Sequence, residues 1–192
     1  MTATPADAIR VDLAPHRNSA AFLAAGAPPG DGFDGFGRAF PAEQLGYLAA
    51  ELGLPPDHGH GTPDNIACEG QTLHLAAPLR ATALRVVGAG SGGTVSEILT
   101  LEHEDATTPV RVRLSDFLSR GPAFEDTCFA HSSFLYDVGG RPEPGAEPRL
   151  WQAESALNPP ARCARITLPV NPDMHIMGLW LLPARPERTE QP

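Results

Sequence analysis

The chain has 192 residues, 42% of them hydrophobic, and a formal net charge of −9 from 14 basic and 23 acidic residues. This is enough chain and core for one domain, and a pI near 5.1 argues against a nucleic-acid partner, which needs a clustered basic face. The 19 Gly and 21 Pro argue against a helical bundle, and no run approaches the roughly 18 apolar residues of a membrane-spanning helix.

Met1 to Arg10 has neither the basic flank nor the apolar stretch of a signal peptide, so the expectation is a cytoplasmic protein. Ile9–Ala14 alternates well enough for a first strand. Asn18 to Phe40 is a long Gly-rich segment that must be tied down by its own packing or by a bound ion. Pro41–Gly53 reads as a short helix: Pro41 suits the helix start, Glu43 the first turn and Gly53 the close. Leu45, Leu48 and Leu52 share one face. Pro55–Asn65 is loop by composition.

From Gln71 onward the pattern is β. Strands are predicted at Gln71–Ala76, Ala83–Val87, Thr94–Glu104, Val110–Leu114, Cys163–Val170 and His175–Leu182. Val110, Val112 and Leu114 point one way and Arg111 and Arg113 the other, which makes one buried and one wet face. Ile176–Leu182 is apolar on both faces, as a central strand is. Phe117–Pro160 reads as irregular, with 139–148 an exposed excursion. Strands at roughly ten-residue intervals, separated by Gly/Pro turns, predict an all-β, antiparallel β-sandwich of jelly-roll type with at most one or two short helices. The domain is expected to span residues 1–192 with its core over about 9–183.

Several groups can carry chemistry. The loop Asp31–Gly37 (DGFDGFG) places Asp31 and Asp34 among glycines, so carboxylates and carbonyls can surround a structural Ca²⁺; equally, Asp34 can bond its own backbone in a turn. His103 within Glu102–Asp105 can converge only with Asp105 on one face of a strand, and His58 with His60 lacks a third ligand; both fall short of a metal site. Asp64, Asn65 and Gln71 can fork onto sugar hydroxyls or cap turns. Ser115, Asp116, Cys128, His131, Ser132 and Ser133 supply the residue types of nucleophilic catalysis without a nucleophile elbow. Cys68, Cys128 and Cys163 form no CxxC pair and read as buried free thiols.

Five motifs in order carry a resemblance: Phe33–Leu45, Pro63–Leu75, Leu84–Gly93, Val110–Phe117 and Ile166–Pro183. Together they resemble the galactose-binding-like β-sandwich appended to actinobacterial glycoside hydrolases, over about Asn18–Pro183. Two details depart from that pattern: Glu104–Pro109 replaces its Asp-Gly turn, and Phe117 its Trp. The resemblance implies a non-catalytic module binding a carbohydrate or similar polar ligand. Asp34, Asn65, Gln71 and Asp116 are then the polar contacts, and Phe36, Phe117 and Trp151 the aromatic ones. The alternative is a stand-alone cytoplasmic cyclase, isomerase or dehydratase on the same scaffold, with Asp116 or His131 as the proton donor. A third reading is an interaction domain whose exposed sheet face pairs with a partner or, as a homodimer, with a second copy.

Overall fold

Alternation is clearest where one face of a strand is buried, and the strand Ala106–Leu114 keeps it: Val110, Val112 and Leu114 are buried while Arg111 and Arg113 are exposed. A computed structural model describes residues 7–184, so the leader-free reading of Met1–Arg10 rests mostly on residues outside that range. The described strands are β1 (Ile9–Arg10), β2 (Phe22–Leu23), β3 (Phe40–Pro41), β4 (Ile66–Glu69), β5 (Thr72–Gly90) and β6 (Val95–His103). They continue with β7 (Ala106–Leu114), β8 (Thr127–His131), β9 (Phe134–Tyr136), β10 (Pro142–Pro144), β11 (Arg149–Thr167) and β12 (Val170–Pro183).

The main sheet runs β1-β12-β5-β11-β6-β7, with β4 also on β12 and β8 also on β11, and every pair in it is antiparallel. Partners change along the two longest strands. β12 covers only the second half of β5, from Ala81 to Gly90. β8 meets β11 over Arg149–Gln152, and β6 meets it over Arg165–Thr167. The sheet therefore curls, and β7 returns toward β11, where the Ser155 hydroxyl donates to the Arg111 carbonyl at 2.7 Å. The result is an all-β, antiparallel arrangement compatible with a β-sandwich, enclosing one large core.

Two predicted strands are really one. Gln71–Ala76 and Ala83–Val87 both belong to β5, whose ladder with β11 slips between Ala156 and Ala161 and between Cys163 and Arg165. Proline explains the interruption: Pro78, Pro159 and Pro160 have no N–H to donate, so the ladder passes them irregularly. The region Phe117–Pro160 holds β8, β9, β10 and the first half of β11, which composition alone read as irregular. The 139–148 excursion contains β10, exposed throughout and paired with β9. The hairpin between β6 and β7 turns over Glu104 and Asp105, with Glu104 at φ +51°, so β7 starts at Ala106 and not at Val110. The first strand is only Ile9–Arg10, because a 3₁₀ turn begins at Ala14.

The predicted helix is present as two single turns, α1 (Ala42–Leu45) and α2 (Ala49–Leu52), joined by a 3₁₀ turn at Gly46–Leu48. Gly53 closes it at φ +64°, the left-handed position that glycine takes without a Cβ clash. Leu45, Leu48 and Leu52 are buried as their spacing predicts. Each such side chain contributes about 1.5–3 kcal/mol relative to exposure.

Candidate functional site

A cleft of about 630 Å³ lies between the end of β5, the start of β12, residues 18–23 and the loop 28–39. Backbone bonds set its walls. Phe33 N–H donates to the Arg38 carbonyl and Gly37 N–H to the Asp31 carbonyl, both at 2.7 Å, which closes the loop on itself. Gly32, at φ +67°, leaves no room for a Cβ: one would sit 2.5 Å from the Arg38 carbonyl oxygen. The loop is anchored from below by Phe33 and Phe40, both fully buried and in ring contact with each other and with Phe117. Residues 18–22 are clipped to the strand entry by Asn18 and Ser19 N–H donating to the Asn65 carbonyl, and by Asp64 N–H donating to that of Ser19.

At the cleft floor is a chain of three side chains. Asp64 is fully buried; its carboxylate accepts the N–H groups of Ala21 and Phe22 and the amide of Asn65 at 2.9, 3.2 and 3.0 Å. Burial outweighs those donors and pushes its pKa up to about 6. The Asn65 Nδ2 group also donates to the Ser19 carbonyl, so both its protons are used and its Oδ1 is the acceptor. That oxygen lies 2.8 Å from His175 Nδ1, which must therefore carry the ring proton. His175 is 5% exposed and packs on Phe33 at 4.3 Å between ring centroids. Burial pushes its pKa down to about 4, although Asp173 and Asp34 pull the other way. The ring is thus neutral at neutral pH; His175 lines the cleft, and its Nε2 has no hydrogen-bond partner among the described residues.

Of the residues expected from sequence, Asp31 and Asp34 line this cleft. Asp34 is a turn residue: its carboxylate accepts the N–H groups of Phe36 and Arg38 and pairs with the Arg38 guanidinium. Asp31 is exposed. No group of three or more His, Cys, Asp or Glu is gathered to hold a metal among the described residues. Phe36 is 79% exposed at the loop tip, while Asn65 is fully buried behind His175.

The other expected contacts are structural. Gln71 lies in the β4–β5 turn, where it accepts from Glu69 N–H and donates to the Ala67 carbonyl. Phe117 and Trp151 are core residues at 1% and 0% exposure, and Trp151 Nε1 donates to the Asp116 carbonyl at 2.9 Å. The Asp116 carboxylate accepts from Leu118 N–H in its own turn. His131 is exposed on β8 opposite Arg149, and neither it nor Asp116 lines the cleft.

The Ser115 hydroxyl is buried against Asp126 and accepts from Ala123 N–H, so it is a loop staple rather than a nucleophile. Ser132 and Ser133 bond the Phe134 carbonyl and Gln44. Cys68 and Cys163 are buried, with thiols pushed up to about 12 and about 11, whereas Cys128 is exposed. His58 bonds the Pro55 carbonyl and sets its ring edge on Phe22, while His60 lines the cleft.

Sequence reading missed His175, Asp173 and Ser91. For His175 and Asp173 the local signal is a polar NPDMH stretch ahead of the apolar run of β12, where a histidine entering a fully buried strand needs a partner. The described residues contain no helix long and apolar enough to cross a membrane. Compared with protein-family models and with curated protein sequences, the chain matches none.

Proposed function

We propose that the cleft binds a small hydroxyl-rich ligand such as a sugar, and that the protein is a non-catalytic binding module of the galactose-binding-like type. The observation that carries this reading is His175, an almost fully buried ring that lines the cleft and is held by Asn65 in the tautomer that makes Nε2 an acceptor. A preorganised acceptor of this kind discriminates for hydroxyl donors, because a ligand lacking one leaves it unpaired. Four of the motifs behind the resemblance line it: Phe33–Leu45 through Phe33–Gly37, Pro63–Leu75 through Pro63 and Ala67, Leu84–Gly93 through Ser91, and Ile166–Pro183 through Pro172, Asp173 and His175. Phe36, exposed at the tip, offers a face for the C–H side of a sugar ring.

Titration calorimetry against a broad glycan panel tests the proposal. Binding is expected, and Phe36→Ala is expected to weaken it by up to about tenfold. Silence across the panel from folded protein overturns it.

The chain Asp64–Asn65–His175 also supports a second reading, an enzyme in which His175 Nε2 removes a proton from the ligand. Proton abstraction from carbon would wash deuterium from D₂O into the ligand, visible by NMR; a binding module leaves the ligand unlabelled.

The loop 31–37 needs no cation under this reading, since Arg38 already neutralises Asp34. The melting temperature is expected to be the same in EDTA and in Ca²⁺. Asp34→Ala is expected to lose about 1–3 kcal/mol in both, from two unpaired N–H groups and a freed guanidinium. A melt that falls in EDTA and recovers with Ca²⁺ would instead place the ion at Asp31.

A further inference from the structure

We infer that the ligand of this cleft carries a protonated amine beside its hydroxyls, an amino sugar or similar amino polyol rather than a neutral or acidic one. The inference rests on the cleft being a ligand site, as proposed above, and narrows the class of ligand. Its first support is the charge of the lining. Among the described residues, Asp31, Asp34 and Asp173 line the cleft and no Arg does; the chain has no Lys. Asp34 is compensated by Arg38. Asp31 and Asp173 are exposed and have no ion-pair partner among the described residues. The cleft thus holds two uncompensated negative charges, which repel carboxylate, sulfate or phosphate ligands and attract cations.

The second support is independent of charge. His175 is nineteen-twentieths buried, and the tautomer that Asn65 imposes leaves Nε2 an acceptor only. An ammonium group donates three hydrogen bonds and accepts none, so it satisfies this nitrogen and a carboxylate together. Asp173 sits two residues before His175, and its Oδ1 is 3.4 Å from the Ser91 hydroxyl, which also lines the cleft. Ser91 N–H donates to the Asp173 carbonyl at 2.9 Å, so the start of β12, which carries this carboxylate, is held at the end of β5. The cleft is therefore lined by both an acceptor-only imidazole and a positioned carboxylate, two residues apart on β12.

The experiment is a titration at low salt with matched triplets, glucosamine, glucose and glucuronate together with their galactose counterparts, followed by the amide shifts of the cleft residues. The amino sugars are expected to bind roughly tenfold more tightly than the neutral ones, the worth of two partly exposed ion pairs, and the uronates not at all. High salt should narrow the gap. In the doubly substituted Asp31→Asn, Asp173→Asn protein, whose altered side chains are both exposed, the amino sugar should fall to the affinity of the neutral one. Equal binding of amino and neutral sugars, or a preference that survives the double substitution, overturns the amine while leaving the cleft a sugar site. If no member of any triplet shifts the cleft amides, the ligand-site reading itself fails.

Discussion

His175→Gln is expected to make the protein lose stability relative to the parent as pH rises from about 4 to about 6, by on the order of 3 kcal/mol. Two buried groups with opposed titrations produce this. Asp64 has its pKa raised from an ordinary 3.8 to about 6. In that window the folded protein keeps a proton that the unfolded chain has released, so the contribution is full below about pH 4 and is lost as pH climbs through about 6. His175 has its pKa depressed from an ordinary 6.5 to about 4. The unfolded chain takes up that proton first as pH falls, so this contribution is full above about 6.5 and is lost on the way down to about 4.

The two shifts run in opposite directions, so their slopes oppose each other while both residues are present. Removing the imidazole uncovers the falling slope of Asp64. Asp64→Asn uncovers the rising slope of His175. Urea midpoints of the three proteins at several pH values across the window, each variant read relative to the parent, provide the test. A His175→Gln protein that tracks the parent across the window would show that burial does not depress the His175 titration.

Gly88→Ala is expected to cost on the order of 3 kcal/mol or more, among the largest single-methyl effects in the chain. Gly88 lies inside β5, opposite Trp151 on one side and Ile176 on the other. A Cβ placed there would stand 1.9 Å from the His175 carbonyl oxygen, a backbone atom that cannot rotate away. The strands β5 and β12 must part, and the part of β12 that moves is the one carrying His175. The same substitution should therefore lower the denaturation midpoint sharply and shift the His175 ring resonances. A midpoint within a degree or two of the parent sinks the argument that glycine is required for the close approach of these strands.

The helix at residues 42–52, the buried face of β7 and the doubly apolar run of β12 were all legible in the sequence, because each is a pattern among residues two to four apart. Leu45, Leu48 and Leu52 had to share a face, and Val110, Val112 and Leu114 had to be buried together or not at all. Irregular strands hid from the same reading. Pro159 and Pro160 in β11 made a paired segment look like a loop, because pairing by β5 compensates from outside for what local composition lacks.

The candidate site divides along the same line. Gly-rich composition marked the loop 31–37, and that loop does form a wall of the cleft. Phe36, Phe117 and Trp151 were indistinguishable as aromatic contacts; tertiary packing left the first exposed and enclosed the other two in the core. Asn65 was read as touching ligand, yet it acts behind His175, a residue 110 positions away.

By itself, then, the sequence determined an acidic, all-β chain with one short helical segment and a turn-forming Asp–Gly loop, since composition and short-range periodicity bias each segment wherever it ends up. Only the tertiary structure decided which polar groups share a cavity. Pairing of β12 with β4 and β5 carries His175 to Asn65 and Asp64. Burial there, and not residue type, shifts both titrations, because desolvation depends on neighbours from segments that lie far apart along the chain.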